Sequence, residues 1–543
     1  MFKAGAKVRN LFRMQMSFFP KVIFAADTNQ HYPAMLPTAP HSKSIWRKLL
    51  HYAGPALAVF LLLFVELDPK KPQLTATLAV AIWMACWWVA EIAPLAITSL
   101  LPVALFPLLG IMNGKAVSST YFNHVIFLFI GGFIVALAIQ KWNLHKRIAL
   151  GILRITGSSP GRILLGFMFA TAFLSMWISN TATVMLLIPI LLSMLSKVEE
   201  LNGRENAATF SIGMLLAVAY SASIGGIATL VGTPPNLSFS RILYIYFPQA
   251  PEITFANWFL YAFPITLLLF VFLWIYLYFL YIRPKGKWVQ LTGEDIRRQY
   301  RELGPMSFEE IVLSIAFITL ALLWFFRADI TLGSWKIPGW STLLQHPKYV
   351  KDGTVAIAVA IVLFLIPSRS KKGEYLMDWE TAKGIPWGIV LLFGGGFALA
   401  TGFKESGLSL WLGQQLVWLK DYHPIFLIST VSAFVTFLTE LTSNTATVET
   451  ILPVLSGLAV SIKLNPLLLM LPATIAGSLA FMLPVATPPN AIAFGTQRLP
   501  MIKMIKAGFF LNLLGILVVT LVTYFPGMKI FHLLPGVFPD WAQ

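Results

Sequence analysis

The chain has 543 residues, of which 57% are hydrophobic and only 12% are charged, and its mean hydropathy is +0.74. This composition excludes an ordinary soluble domain, and apolar runs of roughly 20 residues indicate a polytopic membrane protein. The formal net charge of +17 does not indicate nucleic-acid binding, because the basic residues lie between the apolar runs, where membrane topology explains them. The single cysteine, Cys86, excludes a disulfide framework and a cysteine-based metal site.

Residues 1–53 form a basic N-terminal segment in which Asp27 is the one acidic residue. The segment lacks the pattern of a cleavable signal peptide. We therefore expect a cytoplasmic tail that is held against the anionic membrane surface, with a transit peptide as the alternative.

The first half, residues 54–282, is predicted to contain plain spans, a hairpin and a broken span. The plain spans are expected near residues 54–67, 74–90, 93–112, 123–142 and 257–282. Residues 161–197 are apolar except for a polar stretch in the middle, and basic residues flank both ends, which predicts a hairpin that enters and leaves on one side of the membrane. A span over 207–246 is interrupted by prolines, and residues 283–310 are predicted to form a cytoplasmic linker.

The second half, residues 311–543, repeats this plan. Its elements are expected as plain spans near 311–326, 353–367, 385–403 and 507–525, a hairpin over 424–462 and a broken span over 466–497. The prediction is an all-α polytopic fold of about eleven transmembrane helices and two re-entrant hairpins. When the N-terminal tail is placed in the cytoplasm, the strongly basic gaps also lie there, and the two halves face opposite ways as an inverted repeat.

Two polar motifs support this duplication because each occurs twice. The six residues of 179–184 recur at 443–448 (443 − 179 = 264), and the Thr-Pro-Pro-Asn motif of 233–236 recurs at 487–490 (487 − 233 = 254). A duplication whose most similar parts are short polar segments in apolar surroundings predicts a secondary transporter with a binding site near the middle of the bilayer.

The breaks also indicate the chemistry of the site. Proline frees backbone carbonyl groups, and these carbonyls, with Ser, Thr and Asn oxygens, are hard ligands that suit an alkali cation such as sodium. The second helix of each hairpin begins at the polar tip, where unpaired N–H groups attract an anion. Two helix ends supply about one positive charge, so a dianion would need bound cations to be compensated.

The paired Ser-Asn-Thr tips and Thr-Pro breaks resemble the divalent anion:sodium symporter family over about residues 54–526. The resemblance implies a homodimer in a lipid membrane, in which a transport domain moves against a scaffold domain as an elevator. The segment 480–490 is similar to the dicarboxylate carriers of the family. Sodium-coupled uptake of a C4-dicarboxylate, such as succinate, fumarate or malate, is therefore expected.

The resemblance also implies site residues by position. The substrate is expected to contact the residues Ser179, Asn180, Thr181, Thr233, Pro234, Ser443, Asn444, Thr445, Thr487 and Pro488. One sodium ion is expected at Ser175, Ser179, Asn180 and Gly232. The other is expected at Thr439, Thr442, Asn444 and Ala486.

Two acidic residues, Glu440 and Glu449, flank the second tip, whereas Met176 and Met185 stand at the equivalent positions of the first. An acidic residue within a span is a functional hypothesis by default. Proton coupling through Glu440 is therefore a further hypothesis.

Other functional classes stay open at this point. A dicarboxylate exchanger or a sulfate transporter would use the same scaffold, and a channel or membrane enzyme is the more distant alternative. The sequence shows no nucleophile motif, metal-spaced histidines or phosphate loop, so neither an enzyme nor a bound cofactor other than co-transported sodium is expected. We expect a multi-pass protein of a bacterial inner membrane with a cytoplasmic N-terminus.

Overall fold

The computed structural model describes residues 45–157, 159–283, 294–332, 335–531, 533 and 536–543. Most of the predicted N-terminal tail, residues 1–44, lies outside the described residues, as does the 284–293 part of the predicted linker. The described residues are mostly helical, as expected.

In the first half the described helices are α1 (Ile45–Phe64), α2 (Pro72–Ala90), α3 (Leu95–Thr98), α4 (Leu101–Leu108), α5 (Gly114–Thr120), α6 (His124–Lys141), α7 (Leu144–Thr156), α8 (Pro160–Ser175), α9 (Asn180–Asn202), α10 (Arg204–Ile227), α11 (Pro234–Tyr246) and α12 (Phe255–Leu277). Helix α12 continues as a π-helical turn over Tyr278–Ile282. The region of the predicted first hairpin therefore consists of α8, a tip of four residues and α9. Its re-entrant path stays a prediction.

The described part of the linker contains α13 (Glu294–Glu302). The helices that follow are α14 (Phe308–Phe325), α15 (Asp352–Leu365), α16 (Trp379–Ala382), α17 (Trp387–Ser406), α18 (Leu408–Gln415), α19 (Pro424–Thr439), α20 (Asn444–Ser461), α21 (Leu467–Ala476), α22 (Pro488–Gly495), α23 (Met501–Val522) and α24 (Met528–Ile530). Two strands, β1 (Ile330–Leu332) and β2 (Trp335–Ile337), form an antiparallel hairpin. Short 3-10 helices cover Trp340–Leu343, Pro347–Tyr349, Val417–Asp421 and Asp540–Ala542, and a π-helical turn covers Thr523–Gly527.

Three features differ from the sequence prediction. The β-hairpin corrects the all-α assignment. The plain span expected over 93–112 is divided into α3 and α4, because Pro102 lacks an N–H and its ring would clash with the carbonyl of Thr98, where α3 ends. The basic gap after α6 contains helix α7, whose apolar face includes the buried Leu150.

Eight helices among the described residues are long and apolar enough to cross a membrane, by length and composition. Several other apolar helices are shorter; α15 has 14 residues and α21 has 10. The total of about eleven crossings and the inverted orientation of the halves stay predictions.

Helix α10 forms the centre of the molecule. It is apolar around its whole circumference, and its 18-residue apolar window is completely buried, as expected for a helix that is enclosed by others. Helices at the periphery instead carry exposed apolar side chains, for example Phe60, Ile315 and Leu517. Such a surface is suited to lipid.

Around α10, the second arm of each hairpin packs against a helix of the other half. Helix α9, the second arm of the first hairpin, packs against α22, which follows the break in the second half. Conversely, α20 of the second hairpin packs against α11, which follows the break in the first half. Each hairpin is therefore held in part by the helix that follows the break of the other half.

Arg147 on α7 fastens the linker to the first half. Its Nε donates to Glu310 Oε1 at 2.7 Å, and its two terminal nitrogens donate to the carbonyl oxygens of Leu303, Gly304 and Pro305. Both partners of the ion pair are buried. Removing one partner of such a pair leaves the other charge uncompensated, which is strongly destabilising.

We expect Arg147→Met to lower the stability by about 3–5 kcal/mol, because Glu310 would remain buried without a partner. The melting temperature of the purified protein in detergent tests this. Lys197→Met is the control, since its pair with Glu200 is exposed and such pairs contribute about 1 kcal/mol or less. Equal melting temperatures for the two variants would contradict the assigned role.

Candidate functional site

The first polar tip lies between the end of α8 at Ser175 and the start of α9 at Asn180. Ser179 caps α9, because its hydroxyl oxygen accepts a hydrogen bond from Ala182 N at 3.3 Å. The predicted substrate residue Thr181 follows in the first turn and is half-buried. The N-terminus of α9, with its partial positive charge, therefore starts at the predicted anion site.

Several oxygen atoms converge beside this tip. Ser175 Oγ lies 2.5 Å from Asn180 Oδ1 and 2.7 Å from the carbonyl oxygen of Ala222. The single hydroxyl hydrogen can serve only one of these two acceptors. A Cβ atom built on Gly226 would lie 2.5 Å from Asn180 Oδ1 and 3.1 Å from the carbonyl oxygen of Gly232, so these two oxygens border the same small space.

This oxygen cluster contains three of the four residues predicted to hold the first sodium ion: Ser175, Asn180 and Gly232. The hydroxyl group of the fourth, Ser179, is engaged as the helix cap. Ala222 was missed by sequence reasoning, because it contributes a backbone carbonyl and its side chain gives no signal. The ligand roles themselves stay predictions.

The second tip repeats the arrangement in register. Helix α19 ends at Thr439 and α20 begins at Asn444. Thr439 Oγ1 lies 2.7 Å from Asn444 Oδ1 and 3.0 Å from the carbonyl oxygen of Gly477. Thr439 and Asn444 occupy the positions equivalent to Ser175 and Asn180. The two halves thus build the same hydroxyl–amide–carbonyl cluster.

The other two residues predicted for the second sodium ion lie differently. The hydroxyl of Thr442 bonds to the carbonyl oxygen of Leu438 at 3.3 Å and to the hydroxyl of Thr447, and no hydrogen bond to Asn444 is found in the described chain. Ala486 is buried at the end of the second break, where its N–H donates to the Leu483 carbonyl.

The remaining predicted substrate residues lie at the two tips and at the ends of the two breaks. Thr233 and Thr487 have nearly the same extended backbone, with φ −145°, ψ 141° and φ −143°, ψ 147°. Thr233, Thr487 and Thr445 are buried. The half-buried members are Asn180, Thr181, Pro234, Ser443 and Asn444, and Pro488 is exposed. None of these residues is charged.

Two asparagines that sequence reasoning left without a role stabilise the breaks. Both are completely buried. The Nδ2 group of Asn236 donates to the carbonyl oxygen of Thr229 at 2.7 Å and shares its other hydrogen between those of Gly226 and Ile227, both at 3.3 Å. The Nδ2 group of Asn490 donates to the carbonyl oxygens of Ala480 and Leu483. Their place at the end of both Thr-Pro-Pro-Asn motifs was the signal that could have identified them.

In each half, hydrogen bonds join the hairpin tip to the break, but the groups that make them differ between the halves. In the first half, Thr229 Oγ1 donates to the carbonyl oxygen of Met176 at 2.5 Å. In the second half, Glu440 stands at the position of Met176, and its carboxylate accepts four hydrogen bonds: from Phe481 N, Met482 N, Leu483 N and Asn512 Nδ2, at 2.7–3.1 Å. These contacts give Glu440 a structural role.

Glu440 also accounts for a difference between the breaks. The first is short, whereas residues 477–487 are non-helical in the second. The backbone N–H groups of Phe481, Met482 and Leu483 bond to the carboxylate of Glu440 instead of to helical carbonyl groups. The predicted break at the Pro-Pro pair therefore begins earlier, after Ala476.

Comparisons with known proteins agree with this architecture. Residues 42–533 match the family model described as the sodium:sulfate symporter transmembrane region. A relative from Staphylococcus saprophyticus, a sodium-dependent dicarboxylate transporter SdcS, is 44% identical over 477 residues, which cover 87% of this chain and 90% of the relative. The Staphylococcus aureus protein of the same name is 42% identical over 477 residues, with 87% and 89% covered.

A solved structure shows a similar fold. The Alcanivorax borkumensis YdaH transporter aligns with a TM-score of 0.51 and 14% sequence identity, covering 78% of this chain and 88% of that protein. At this identity the similarity concerns the fold alone.

We expect Gly226→Ala to weaken sodium binding at least about tenfold, or roughly 1.4 kcal/mol, because the new methyl group would displace Asn180 Oδ1 from the oxygen cluster. Sodium titration of the purified protein, followed by its thermal stabilisation, measures the change. Gly132→Ala is the matched control, since the nearest atom to its Cβ lies 3.7 Å away. Unchanged sodium affinity in Gly226→Ala would argue against a cation at this cluster.

We expect Glu440→Gln to lower stability by about 1–3 kcal/mol, because an amide NH₂ group would face backbone N–H donors. The melting temperature in detergent tests this, with the exposed Glu200→Gln as control. A proton carrier would behave differently: the variant would keep its melting temperature, and only the pH dependence of transport would disappear.

Proposed function

The chain belongs to the divalent anion:sodium symporter family, and from this premise we propose that it is a secondary active transporter that couples the uptake of C4-dicarboxylates to sodium. It is a multi-pass integral membrane protein and a transporter, not an enzyme. Succinate, fumarate and malate are the proposed substrates. The relatives named as sodium-dependent dicarboxylate transporters, at 42–44% identity over most of the chain, support this choice.

The observation that carries the proposal is the repeated oxygen cluster. Ser175 with Asn180, and Thr439 with Asn444, each bring a hydroxyl, an amide oxygen and a backbone carbonyl together. Each cluster contains three oxygen atoms that can accept a hydrogen bond but only one hydroxyl hydrogen to donate. Neutral oxygen ligands of this kind suit an alkali cation and do not suit a soft metal.

The same asparagines can couple the cation to the anion. Each amide turns its Oδ1 atom toward the oxygen cluster, which leaves its Nδ2 hydrogens available to a carboxylate. The N-termini of α9 and α20 contribute about half a positive charge each. Their sum falls short of the two negative charges of a dicarboxylate, so sodium ions complete the compensation. Binding of either ion then favours binding of the other.

The transport cycle that we propose is an elevator in a homodimer. The two hairpins and the two broken helices would move as one body, carrying the anion and its cations with their charges compensated. This reduces the cost of moving the anion through a region of low dielectric constant. We further propose an inverted repeat, a bacterial inner membrane location and a cytoplasmic N-terminus, which places the basic segments on the cytoplasmic side.

The decisive experiment is uptake of labelled succinate into proteoliposomes, with and without an inward sodium gradient. Coupled transport should accumulate succinate only with the gradient, and dissipating the gradient should stop accumulation. Accumulation that needs internal dicarboxylate but not sodium would identify an exchanger instead. Downhill flux that never concentrates the solute would identify a channel.

Sulfate is the second candidate substrate, because the matching family model is described by sodium:sulfate symport. Unlabelled sulfate, fumarate and malate should be tested as competitors of succinate uptake. Stronger competition by sulfate than by fumarate would reassign the anion while leaving sodium coupling intact.

We expect Asn180→Ala and Asn444→Ala each to reduce sodium-coupled uptake at least about tenfold, because each removes a ligand from a cation and from the anion. Asn206→Ala, on an exposed part of α10, is the control. Melting temperatures establish that the variants fold. Uptake at the wild-type rate in either variant would count against the proposed site.

A further inference from the structure

A cavity of about 530 Å³ is lined by none of the residues of the predicted transport site. It is lined by residues of the α4–α5 region, by the C-terminal half of α11 and by the C-terminal part of α17. Its volume falls in the range of about 300–1,000 Å³ that is typical of small-molecule sites.

The cavity carries a cation without a counter-ion. Arg241 on α11 has a buried Nε atom with no hydrogen-bond partner, and no salt bridge of this side chain is found within the described ranges. Glu405 lines the same cavity but is exposed and is not paired with Arg241. The Arg241 side chain is half-buried, and a charged group that is partly removed from water without an anion is costly, so the geometry favours an anionic ligand.

A second cationic side chain, Lys404, also lines the cavity, but it already makes a hydrogen bond. Lys404 on α17 donates from Nζ to the carbonyl oxygen of Ile245 at 2.5 Å, at the C-terminal end of α11, where a cation is favourable. The lining also includes polar groups of Asn113, Ser119 and Thr401. Arg241 is therefore the group that is left to bind an anion directly, and its planar fork matches a carboxylate.

The position of Arg241 relates the cavity to the transport site. Helix α11 begins at Pro234, a predicted substrate residue, and Arg241 follows seven residues later on the same helix. At 1.5 Å per residue this is about 10 Å along the helix axis. An anion at Arg241 would thus lie about two helical turns from the proposed transport site, and outside it.

We propose that this cavity is a second anion site, which binds the carboxylate of a dicarboxylate through Arg241 before the anion reaches the tips. The identity of the anion rests on the proposed function. The site itself rests on the cavity, on the buried Arg241 Nε atom without a partner, and on the position of Arg241 on α11.

Protection of an introduced cysteine tests the proposal. Ser119 is exposed and lines the cavity, whereas Ser118 is exposed and does not. Ser119→Cys and Ser118→Cys, each in a Cys86→Ala background, are purified in detergent and treated with a cationic thiol reagent. Potassium succinate is compared with potassium chloride at equal ionic strength. We expect succinate to slow modification of Ser119→Cys several-fold and to leave Ser118→Cys unchanged.

Further variants separate this site from the transport site. Protection should persist when Asn444→Ala is added, should disappear with Arg241→Gln, and should be partly retained with Arg241→Lys, which keeps the charge but not the fork. Absence of protection, its persistence in Arg241→Gln, or its loss in Asn444→Ala would each overturn the proposal. Succinate uptake by the wild type is measured separately, so that a failure of the second site can be distinguished from a failure of the proposed function.

Discussion

The structure depends on one contact that is made twice, between a hydroxyl group at the end of one hairpin helix and the amide of the asparagine that begins the next. Ser175 with Asn180, and Thr439 with Asn444, fix the direction of each amide. Each amide oxygen is then held beside the hydroxyl group that also lies next to a backbone carbonyl oxygen. If the amides were reversed, the N–H groups would face the oxygen cluster and no cation could bind there.

The two halves use different residues to join the hairpin tip to the break, although other contacts of the site are the same in both. The hydroxyl–asparagine contact at the tip and the asparagine of the break, Asn236 or Asn490, are alike in both halves. The group that joins tip to break differs: it is the Thr229 hydroxyl in the first half and the Glu440 carboxylate in the second. A neutral donor holds a short break. A carboxylate can satisfy several backbone N–H groups at once and can therefore hold a longer one.

The repeated motifs made much of the site predictable. They identified both tips, both breaks and the family, because uncharged polar residues in apolar surroundings are conspicuous and were present twice. The carbonyl groups of Ala222 and Gly477 could not be predicted, since every residue has a carbonyl and only the fold brings these two to the tips. The break between α3 and α4 had a signal in Pro102. The extension of the second break had none, because it depends on a tertiary contact of Glu440.

Helix α17 packs against both α20 of the second hairpin and α11 of the first broken helix. Its glycines allow close approach: a Cβ on Gly395 would lie 2.4 Å from the carbonyl oxygen of Ser99, and one on Gly396 would lie 2.2 Å from the Glu449 carboxylate. Glu449 on α20 is fully buried there and accepts a hydrogen bond from Ser238 on α11 at 2.9 Å. Because Glu449 and Ser238 belong to the two helices that would move together, their bond can persist during the movement.

The hydrogen bonds between α11 and α17, in contrast, could not persist during such a movement. Lys404 Nζ donates to the carbonyl oxygen of Ile245, and the Tyr246 hydroxyl donates to that of Ala400 at 3.0 Å. Both bonds join a helix that carries predicted substrate residues to one that does not. Both bonds must break if α11 slides along α17, so they stabilise the arrangement described here relative to one in which α11 has moved. In the proposed elevator cycle, breaking these polar contacts at the C-terminal end of α11 would oppose the movement.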